Sequence, residues 1–393
     1  MGIISAIGYD TRGVLDSLTE CRSGISRETL LDTVYKGEFP VAGIMAPNDE
    51  LYLRALPLEP GIYTRTSLLG IIAARQAVRQ AELGNLAGRR MGLISATTVG
   101  GMDRSEVFYK SFLSSASKGR LRDIAGHDCG DGTERIARAL GIDGFLSTIN
   151  TACSSSANAI MTGARLIRQG LLDRVVAGGT DALTLFTLNG FNSLMILDRE
   201  PCRPFDENRN GLNLGEGSAF LVLESEEMVA GTSKKVLCEI TGYGNACDAY
   251  HQTASSPEGE GAYLSMKQAL ASAGLKPGDI SYINAHGTGT KNNDLSEGIA
   301  LGRIFTTGLP PISSTKAYTG HTLGAAGAIE AVISILAMLQ ECIFPNLNFS
   351  EQMHELGFYP VKTLETGKSL RHIMSNSFGF GGNNSTLIIS RCS

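Results

Sequence analysis

Tryptophan is absent from the 393-residue sequence, which also lacks a Cys-x-x-Cys pair and an excess of positive charge. The formal net charge is −5, whereas chains that bind nucleic acid are usually basic, so we expect no nucleic-acid partner. We find no apolar run that approaches the roughly 18 residues needed to span a bilayer. The first ten residues also lack the basic and then apolar pattern of a signal peptide. These absences predict a cytoplasmic protein without membrane insertion.

Cysteine is present but shows no regular framework, with residues at positions 21, 129, 153, 202, 238, 247, 342 and 392. A chain of this length does not need disulfides for stability, and reduced thiols are the default in the cytosol. Most cysteines of this kind are small buried residues. Whether one of them is reactive therefore depends on its neighbours in the sequence.

Strand and helix patterns alternate along the chain. Hydrophobic residues make up 42%, enough for a large core, and charged residues make up 19%, which argues against global disorder. Aliphatic and β-branched runs predict strands at 91–97, 174–178, 219–223, 236–241, 282–285 and 386–390. Apolar spacing near 3.6 residues predicts helices at 66–82, 157–169, 261–272, 295–305 and 325–339. This alternation predicts an α/β fold in which mostly parallel sheets are covered by helices.

Two halves of the chain resemble each other in the order of their patterns. Segments 93–100 and 282–289 both read as a strand followed by a Gly/Thr turn, and segments 151–160 and 319–329 both open a helix of small residues. We interpret this as an internal duplication that is joined near 231–235, where Gly, Thr, Ser and Lys interrupt the apolar pattern. The predicted domains are 1–232, which carries Cys153, and 233–393, which carries His286, Lys316 and His321.

Cys153 lies in the run Thr-Ala-Cys-Ser-Ser-Ser at 151–156, between a predicted strand and a helix of small residues. Unpaired N–H groups and the dipole at a helix start favour a thiolate, which is the competent nucleophile for acyl transfer. The alternative is a structural cysteine buried in tight helix packing. The motif by itself leaves both interpretations open.

Three further motifs lie in glycine-rich turns of the second half. Asn-Ala-His-Gly-Thr-Gly-Thr at 284–290 places His286 at a strand end, and Lys316 and His321 precede a Gly/Ala helix. Phe and Gly alternate in Asn-Ser-Phe-Gly-Phe-Gly-Gly at 376–382. Glycine allows a ligand to approach the backbone closely. The alternatives are a histidine that caps a strand, a solvated lysine and an ordinary glycine turn.

In order and chain position, the four motifs resemble those of β-ketoacyl-acyl carrier protein synthases, the group that includes ketosynthases I and II of fatty acid synthesis. The similarity covers nearly the whole chain, with further matches at 202–206, 214–217 and 248–253. It implies a thiolase-like α/β fold of two similar halves, with mixed five-stranded sheets in an αβαβα layered arrangement. It also implies a homodimer that requires no metal and no cofactor.

The resemblance implies a decarboxylative Claisen condensation in fatty acid elongation. Cys153 would accept an acyl chain from the phosphopantetheine arm of acyl carrier protein, and the N–H groups of Cys153 and Phe380 would stabilise the oxyanion. His286 and His321 would bind the carbonyl of malonyl-acyl carrier protein and promote the loss of CO₂. Lys316 would support His321 and the charge balance of the site.

Other matched positions carry supporting roles. Glu297, with Asp294 nearby, would belong to the network of Lys316, and Thr288 and Thr290 would hydrogen-bond the phosphopantetheine arm. Four residues would line or gate the acyl pocket: Val99, Phe378, Phe380 and Asp248.

Basic residues are expected at the docking surface, because carrier proteins are strongly acidic. The candidates are Arg203 and Lys118. Lys118 lies in a basic cluster with Arg120 and Arg122, for which a solvated loop is the other interpretation.

The sequence departs from the family pattern in places that bear on specificity. Val99 stands where a larger Ile is common, which predicts a slightly deeper pocket and tolerance of medium or long acyl chains. The first strand of the family is largely absent, and segments 119–133 and 211–213 differ. These departures keep open a specialised ketosynthase of an aryl polyene or polyketide pathway.

Three other classes of protein fit the motifs less well. A degradative thiolase needs a second cysteine near its C-terminus, and Cys392 lies outside any such motif. A noncatalytic chain-length partner usually lacks the nucleophile, which is present here. A cysteine hydrolase would leave Lys316, His321 and the Phe-Gly loop unexplained.

Overall fold

The computed structural model describes residues 1–84, 86–88 and 90–392. The strands are β1 (Gly2–Ser5), β2 (Met91–Ala96), β3 (Phe145–Ile149), β4 (Arg174–Asp181), β5 (Gly217–Glu224), β6 (Glu239–Cys247), β7 (Tyr282–Asn284), β8 (Ile312–Ser313), β9 (Cys342–Ile343), β10 (Glu365–Thr366), β11 (His372–Phe378) and β12 (Asn383–Ser390). The α-helices are α1 (Thr11–Thr19), α2 (Asn48–Arg54), α3 (Arg65–Gln80), α4 (Met102–Ser114), α5 (Cys129–Leu140), α6 (Ser155–Arg168), α7 (Leu185–Ser193), α8 (Glu226–Val229), α9 (Glu260–Ala273), α10 (Lys291–Ile304), α11 (Lys316–Thr319) and α12 (Ala326–Gln340). Short 3₁₀ turns lie at Leu121–Asp123, Pro277–Asp279, Leu323–Ala325 and Phe380–Gly382.

The two main sheets have the same topology. The first has the order β1-β5-β4-β2-β3 and the second β6-β12-β11-β7-β8, so each strand has a counterpart in the other half. In both sheets the first two pairings are antiparallel and the last two are parallel. The predicted duplication and the mixed five-stranded sheets are confirmed. The sheets are also mostly parallel as predicted, since four strands of each run in one direction and only β5 and β12 run against their neighbours.

Five layers follow from the packing of helices on these sheets. Helix α3 covers the outer face of the first sheet and α9 covers the outer face of the second, while α6 and α12 pack against each other between them. The inner pair approaches closely, since a Cβ added to Gly327 would lie 2.8 Å from the backbone N of Ala157. The αβαβα thiolase-like arrangement that the resemblance implied is therefore present.

The first strand is present at the N-terminus. Residues Gly2–Ser5 form β1, are fully buried, and pair antiparallel with β5. The expectation that this strand is largely absent is therefore wrong, and the first sheet has its full five strands. Four residues are too few for the alternation that would have revealed the strand in the sequence.

One apolar segment among the described residues is long enough to cross a membrane by length and composition. It is Leu323–Gln340, with a mean hydropathy of 1.7, and 89% of it is buried inside the protein. The expectation that no apolar run approaches the length needed to span a bilayer is therefore wrong. The segment contains α12, which packs between the two sheets.

The predicted domain join lies between the strands of the two sheets. The last strand of the first sheet ends at residue 224 and the first strand of the second begins at residue 239. The division into domains 1–232 and 233–393 stays a prediction.

Candidate active site

Cys153 lies in a sharp turn between β3 and α6 at the interface of the two halves. The preceding residue, Ala152, has a φ of 54°, a left-handed conformation that is costly for a residue with a Cβ. The side chain of Cys153 is buried, with 5% exposure. The Phe380 loop packs directly on this turn, because a Cβ added to Gly379 would lie 2.8 Å from the Thr151 carbonyl oxygen. Glycine at 379 therefore allows the loop to reach Cys153.

Burial governs the protonation of Cys153. It raises the pKa of the thiol to about 11, while Lys316 and the Phe380 N–H lower it. A helix start contributes about 0.3–1 kcal/mol, and up to ~2 kcal/mol when partly buried, which is too little to bring the pKa to neutrality. Burial therefore outweighs the preference for a thiolate that the helix start provides, and the resting thiol of Cys153 is protonated at neutral pH.

The alkylation rate of Cys153 should depend steeply on pH. Since the thiol is protonated below its pKa, the thiolate fraction should rise about tenfold per pH unit from pH 7 to pH 10, without a plateau. Iodoacetamide labelling of the Cys153 peptide, followed by mass spectrometry, measures this rate separately from the exposed Cys21 and Cys247. A plateau that is already reached at pH 7 would contradict the burial argument.

The rings of His286 and His321 meet edge to face, with centroids 5.3 Å apart. The Nδ1 of His286 lies 3.2 Å from the Lys316 ammonium, and the Nδ1 of His321 accepts from the Leu323 N–H at 3.2 Å. Burial, followed by the charge of Lys316, holds the pKa of each histidine well below its usual range. Both imidazoles are therefore neutral, accept at Nδ1 and carry their proton on Nε2.

Lys316 is buried with Glu330 at the centre of this arrangement. Its ammonium donates to the Glu330 carboxylate and to the His286 carbonyl oxygen, the latter at 2.6 Å. Burial raises the pKa of Glu330 to about 7, and the contact with Lys316 opposes that shift. The resemblance assigned Lys316 to His321, but the histidine that it hydrogen-bonds is His286.

Glu297 and Asp294 shape the loop that carries His286. The carboxylate of Glu297 accepts the N–H groups of His286 at 2.9 Å and Gly287 at 2.8 Å. Asp294 accepts the N–H groups of Thr288 and Phe205. Burial raises the pKa of Glu297 to about 7, while the hydrogen bonds from the Gly287 and His286 N–H groups lower it. Glu297 thus acts on the backbone of the histidine loop, and the carboxylate that contacts Lys316 is Glu330.

The two phenylalanines of the glycine-rich loop lie on different sides of the site. Phe380 stacks on Phe191 at a centroid distance of 5.6 Å, and its backbone N–H faces the Cys153 sulfur. Phe378 is buried with its ring 5.8 Å from that of His286. The expectation that these two residues line or gate the acyl pocket stays a prediction.

Asp248 anchors its loop to the glycine-rich loop and to the start of α9. Its carboxylate accepts from the Ser256 hydroxyl at 3.0 Å and the Gly261 N–H at 2.5 Å. Its own N–H donates to the Gly382 carbonyl oxygen at 2.9 Å. The side chain of Asp248 therefore turns into the protein, so that any gating would come from the attached backbone.

The remaining predicted residues divide between the site and its surroundings. Thr288 and Thr290 face each other with their hydroxyl oxygens 2.9 Å apart, next to His286 in the chain. Val99 is buried in an apolar cluster with Leu188 and Leu323, among others. The docking candidates differ in exposure: Arg203 is half-buried, and Lys118 lies in an exposed loop after α4.

Two buried carboxylates that sequence reasoning missed support the site. Glu330 is one, and Asp181 at the end of β4 is the other. Asp181 accepts from the Thr97 hydroxyl at 2.5 Å, from the Val99 N–H at 3.0 Å and from the Gly324 N–H at 2.7 Å. It thereby joins the turn after β2 to the segment that follows His321. In the sequence, each is a single acidic residue within an otherwise uncharged, largely apolar stretch, and this pattern could have indicated a buried carboxylate.

Among residues 1–84, 86–88 and 90–392, no group of three or more His, Cys, Asp and Glu side chains could hold a metal ion. The expectation of a reaction without metal or cofactor stays a prediction.

Comparisons with known proteins follow the same division of the chain. A model described as "Beta-ketoacyl synthase, N-terminal domain" matches residues 1–228, and the corresponding C-terminal domain model matches residues 237–350. The chain is 32% identical to 3-oxoacyl-[acyl-carrier-protein] synthase 2 of Staphylococcus aureus strain N315, over 100% of this chain and 97% of that protein.

Solved structures also superpose over the full length. A chain of the ishigamide ketosynthase/chain length factor has a TM-score of 0.94 at 29% identity, covering 100% of this chain and 98% of that one. A chain of the ketosynthase ApeO in complex with its chain length factor ApeC, from Xenorhabdus doucetiae, has a TM-score of 0.83 at 33% identity, covering 100% and 96%.

Proposed function

Because the chain belongs to the β-ketoacyl synthase family, we propose that it catalyses a decarboxylative Claisen condensation in fatty acid elongation. The substrates are an acyl thioester and malonyl-acyl carrier protein, and the products are β-ketoacyl-acyl carrier protein and CO₂. The observation that carries the proposal is the pair of buried, neutral histidines, with His286 hydrogen-bonded to Lys316, whose charge also acts on Cys153. This pair provides two N–H donors without an added positive charge.

In the first half-reaction, the sulfur of Cys153 attacks the acyl thioester and releases the thiol of the incoming carrier. The carbonyl oxygen becomes negative in the tetrahedral intermediate, and the backbone N–H groups of Cys153 and Phe380 are the donors assigned to it. The Phe380 N–H already faces the sulfur, which supports this role. The thiol proton leaves as the carbon–sulfur bond forms, since the resting thiol is neutral, and the departing phosphopantetheine sulfur takes up one proton to leave as a thiol.

In the second half-reaction, the carbonyl oxygen of the malonyl thioester accepts the Nε2–H groups of His286 and His321. Breaking the bond to the carboxylate releases CO₂ and moves the electron pair towards that oxygen as an enolate. Donors aimed at the developing charge lower the barrier most. The enolate carbon then attacks the acyl thioester on Cys153, and the cysteine leaves as a thiolate that takes one proton from water.

CO₂ release tests the proposal as a whole. Purified protein given acyl-carrier protein and malonyl-carrier protein should release CO₂ in proportion to β-ketoacyl product. Omission of the acyl donor should reduce that release. A protein that yields no product with any acyl donor between two and sixteen carbons would contradict the proposal.

A specialised ketosynthase pathway is the second candidate. It is favoured by the full-length similarity to chains of two ketosynthase/chain length factor structures, at 29% and 33% identity. The reaction would be the same, but the acyl donor would be a polyene or polyketide chain. Comparing saturated and polyunsaturated acyl-carrier proteins as donors for Cys153 distinguishes the two pathways.

The proposed partners are acyl carrier protein and a second copy of this chain. The edge strand β3 leaves Phe145 and Leu146 40% and 39% exposed. Pairing β3 with its copy would continue the sheet and cover apolar surface. Light scattering on the purified chain should give the mass of a dimer; a stable monomer would instead favour a heterodimer with a related chain.

A cytoplasmic location completes the proposal. All eight cysteines are free, which fits a reducing compartment, and none has a disulfide partner in the described chain. Arg203 and Lys118 remain the proposed docking residues for the acidic carrier. Charge reversal at either position should raise KM for the carrier-bound substrate without lowering labelling of Cys153 by iodoacetamide.

Val99 should control the length of the acyl chain that Cys153 accepts. The side chain is buried next to Leu188 and Leu323, so Val99→Phe would fill space that a long chain needs. We expect loading of a twelve-carbon chain to fall about tenfold, with acetyl loading unchanged. Val34→Phe, at a site with 90% exposure, is the matched control. Failure of chains longer than eight carbons to label the wild-type protein would contradict the role of Val99.

A further inference from the structure

Three asparagines meet between the Cys153 turn and the second sheet. Asn158 comes from α6, Asn245 from β6 and Asn383 from the start of β12. The Oδ1 of Asn383 accepts the Ser154 hydroxyl at 2.8 Å, the Asn158 amide at 3.0 Å and the Asn245 amide at 2.8 Å. A single side-chain oxygen thus holds donors from both halves of the protein.

The same cluster reaches the other side of the nucleophile. Asn158 also donates to the Thr151 hydroxyl at 2.8 Å and accepts from Ser385 at 2.8 Å and from Asn245 at 3.1 Å. Asn245 donates to Ser385 at 2.9 Å, and Ser154 donates to the Thr151 carbonyl oxygen at 2.7 Å. The residues at 151 and 154, which flank Cys153, are therefore both fixed by this network.

The backbone of Asn383 closes the loop that carries Phe380. Its carbonyl oxygen accepts the Gly379 N–H at 2.9 Å, so the four-residue loop from 379 to 382 is bounded by this bond. The loop presents the Phe380 N–H to the Cys153 sulfur. Asn383 thus holds the Phe380 loop with its backbone and the Cys153 turn with its side chain.

We infer that Asn383 is a positioning residue whose side-chain oxygen sets the placement of the Phe380 N–H relative to Cys153. Removing this oxygen leaves three donors without their shared acceptor in a partly buried site, and the turn and the loop are then free to separate. A shift of this donor by a fraction of an ångström weakens stabilisation of the oxyanion, which depends on its geometry. The expected effect on turnover rests on the proposed function, whereas the expected effect on the reactivity of the Cys153 sulfur does not.

An isosteric pair of variants isolates the oxygen. Asn383→Val and Asn383→Thr have nearly the same shape and both suit the start of a strand, but only threonine retains an uncharged acceptor. The groups that act on the Cys153 charge, Lys316, Asp181 and Glu330, are unchanged in both. Any difference in rate between the two variants is therefore due to the presence or absence of a hydrogen-bond acceptor at position 383.

Alkylation of Cys153 is the first measurement, because it needs no carrier protein. At pH 8 we expect Asn383→Val to lower the iodoacetamide rate about tenfold, since a hydrogen bond to the thiolate is lost. Asn383→Thr should stay within about threefold of the wild type. Ser17→Ala, which removes a buried hydrogen bond to the Ile7 carbonyl oxygen in the first half, should leave the rate unchanged.

Steady-state kinetics is the second measurement. Asn383→Val should lower kcat about 10–100-fold with KM within about twofold, and threonine should restore most of kcat. A purely structural role would lower the urea midpoint of both Asn383→Val and Ser17→Ala but would leave the rate per folded molecule intact. Equal values for Val and Thr, or a Val variant that alkylates like the wild type, would overturn the inference. A wild-type protein without condensing activity would overturn the proposed function instead, and the alkylation result would still decide the role of Asn383.

Discussion

Replacing either His286 or His321 by alanine should lower the condensation rate about 10²–10³-fold, the usual effect of losing one oxyanion donor. Acyl transfer to Cys153 should persist within about tenfold, because the donors proposed for that step are the backbone N–H groups of Cys153 and Phe380. In the proposed mechanism the two steps separate because both histidines are neutral, accept at Nδ1 and keep one Nε2–H each for the enolate of the second half-reaction. Single-turnover assays with mass spectrometry measure loading and condensation separately.

The matched control for these variants is His354→Ala. His354 is exposed, whereas His286 and His321 are buried, and it lies outside the motifs that carry the reacting groups. It should leave both half-reactions unchanged. If the two site variants lose acyl loading as severely as condensation, the histidines serve the first step and the assignment above is wrong.

Replacing Lys316 by methionine should destabilise the protein by about 3–5 kcal/mol, because Glu330 is then left buried without its cation. Both side chains are nearly inaccessible, with 1% and 2% exposure, so water cannot take over the role of the partner. The change also removes the donor to Nδ1 of His286, which fixes its tautomer. Condensation per folded molecule should therefore fall as well.

The double variant Lys316→Met/Glu330→Gln separates these two effects. Removing both charges should restore most of the urea midpoint, since a buried ion pair can be replaced by neutral groups at little cost. It should not restore condensation, because His286 still lacks its donor. Lys368→Met, which breaks the half-exposed pair with Glu365, should cost less than about 1 kcal/mol. A double variant as unstable as the single variant would contradict the ion-pair argument.

Local motifs made the reacting groups predictable from the sequence. His286, Lys316 and His321 lie in glycine-containing turns and Cys153 in a turn of small residues, each at the end of a strand or the start of a helix, and such turns have recognisable composition. The structure brings these turns together where the two halves meet. Their partners were less visible, because pairings such as Lys316 with Glu330 depend on how α11 and α12 pack.

Charge states and long-range contacts could not be derived from local patterns. The helix start suggested a thiolate at Cys153, but the degree of burial, which outweighs the dipole, emerges only when Phe380 and the second half cover the turn. Asn383 looked like part of a glycine turn, and its three donors come from residues 138 to 229 positions away. Short β1 lacked a readable period and was missed for that reason.

Intact-protein and peptide mass spectrometry after incubation with acyl-carrier protein, followed by malonyl-carrier protein, tests the central claim most directly. We predict that the acyl mass first appears on the Cys153 peptide and then disappears as β-ketoacyl-carrier protein forms. Cys153→Ala should show neither event, although its other seven cysteines remain. Acylation at another residue, or product formation by Cys153→Ala, would contradict the assignment of Cys153 as the nucleophile.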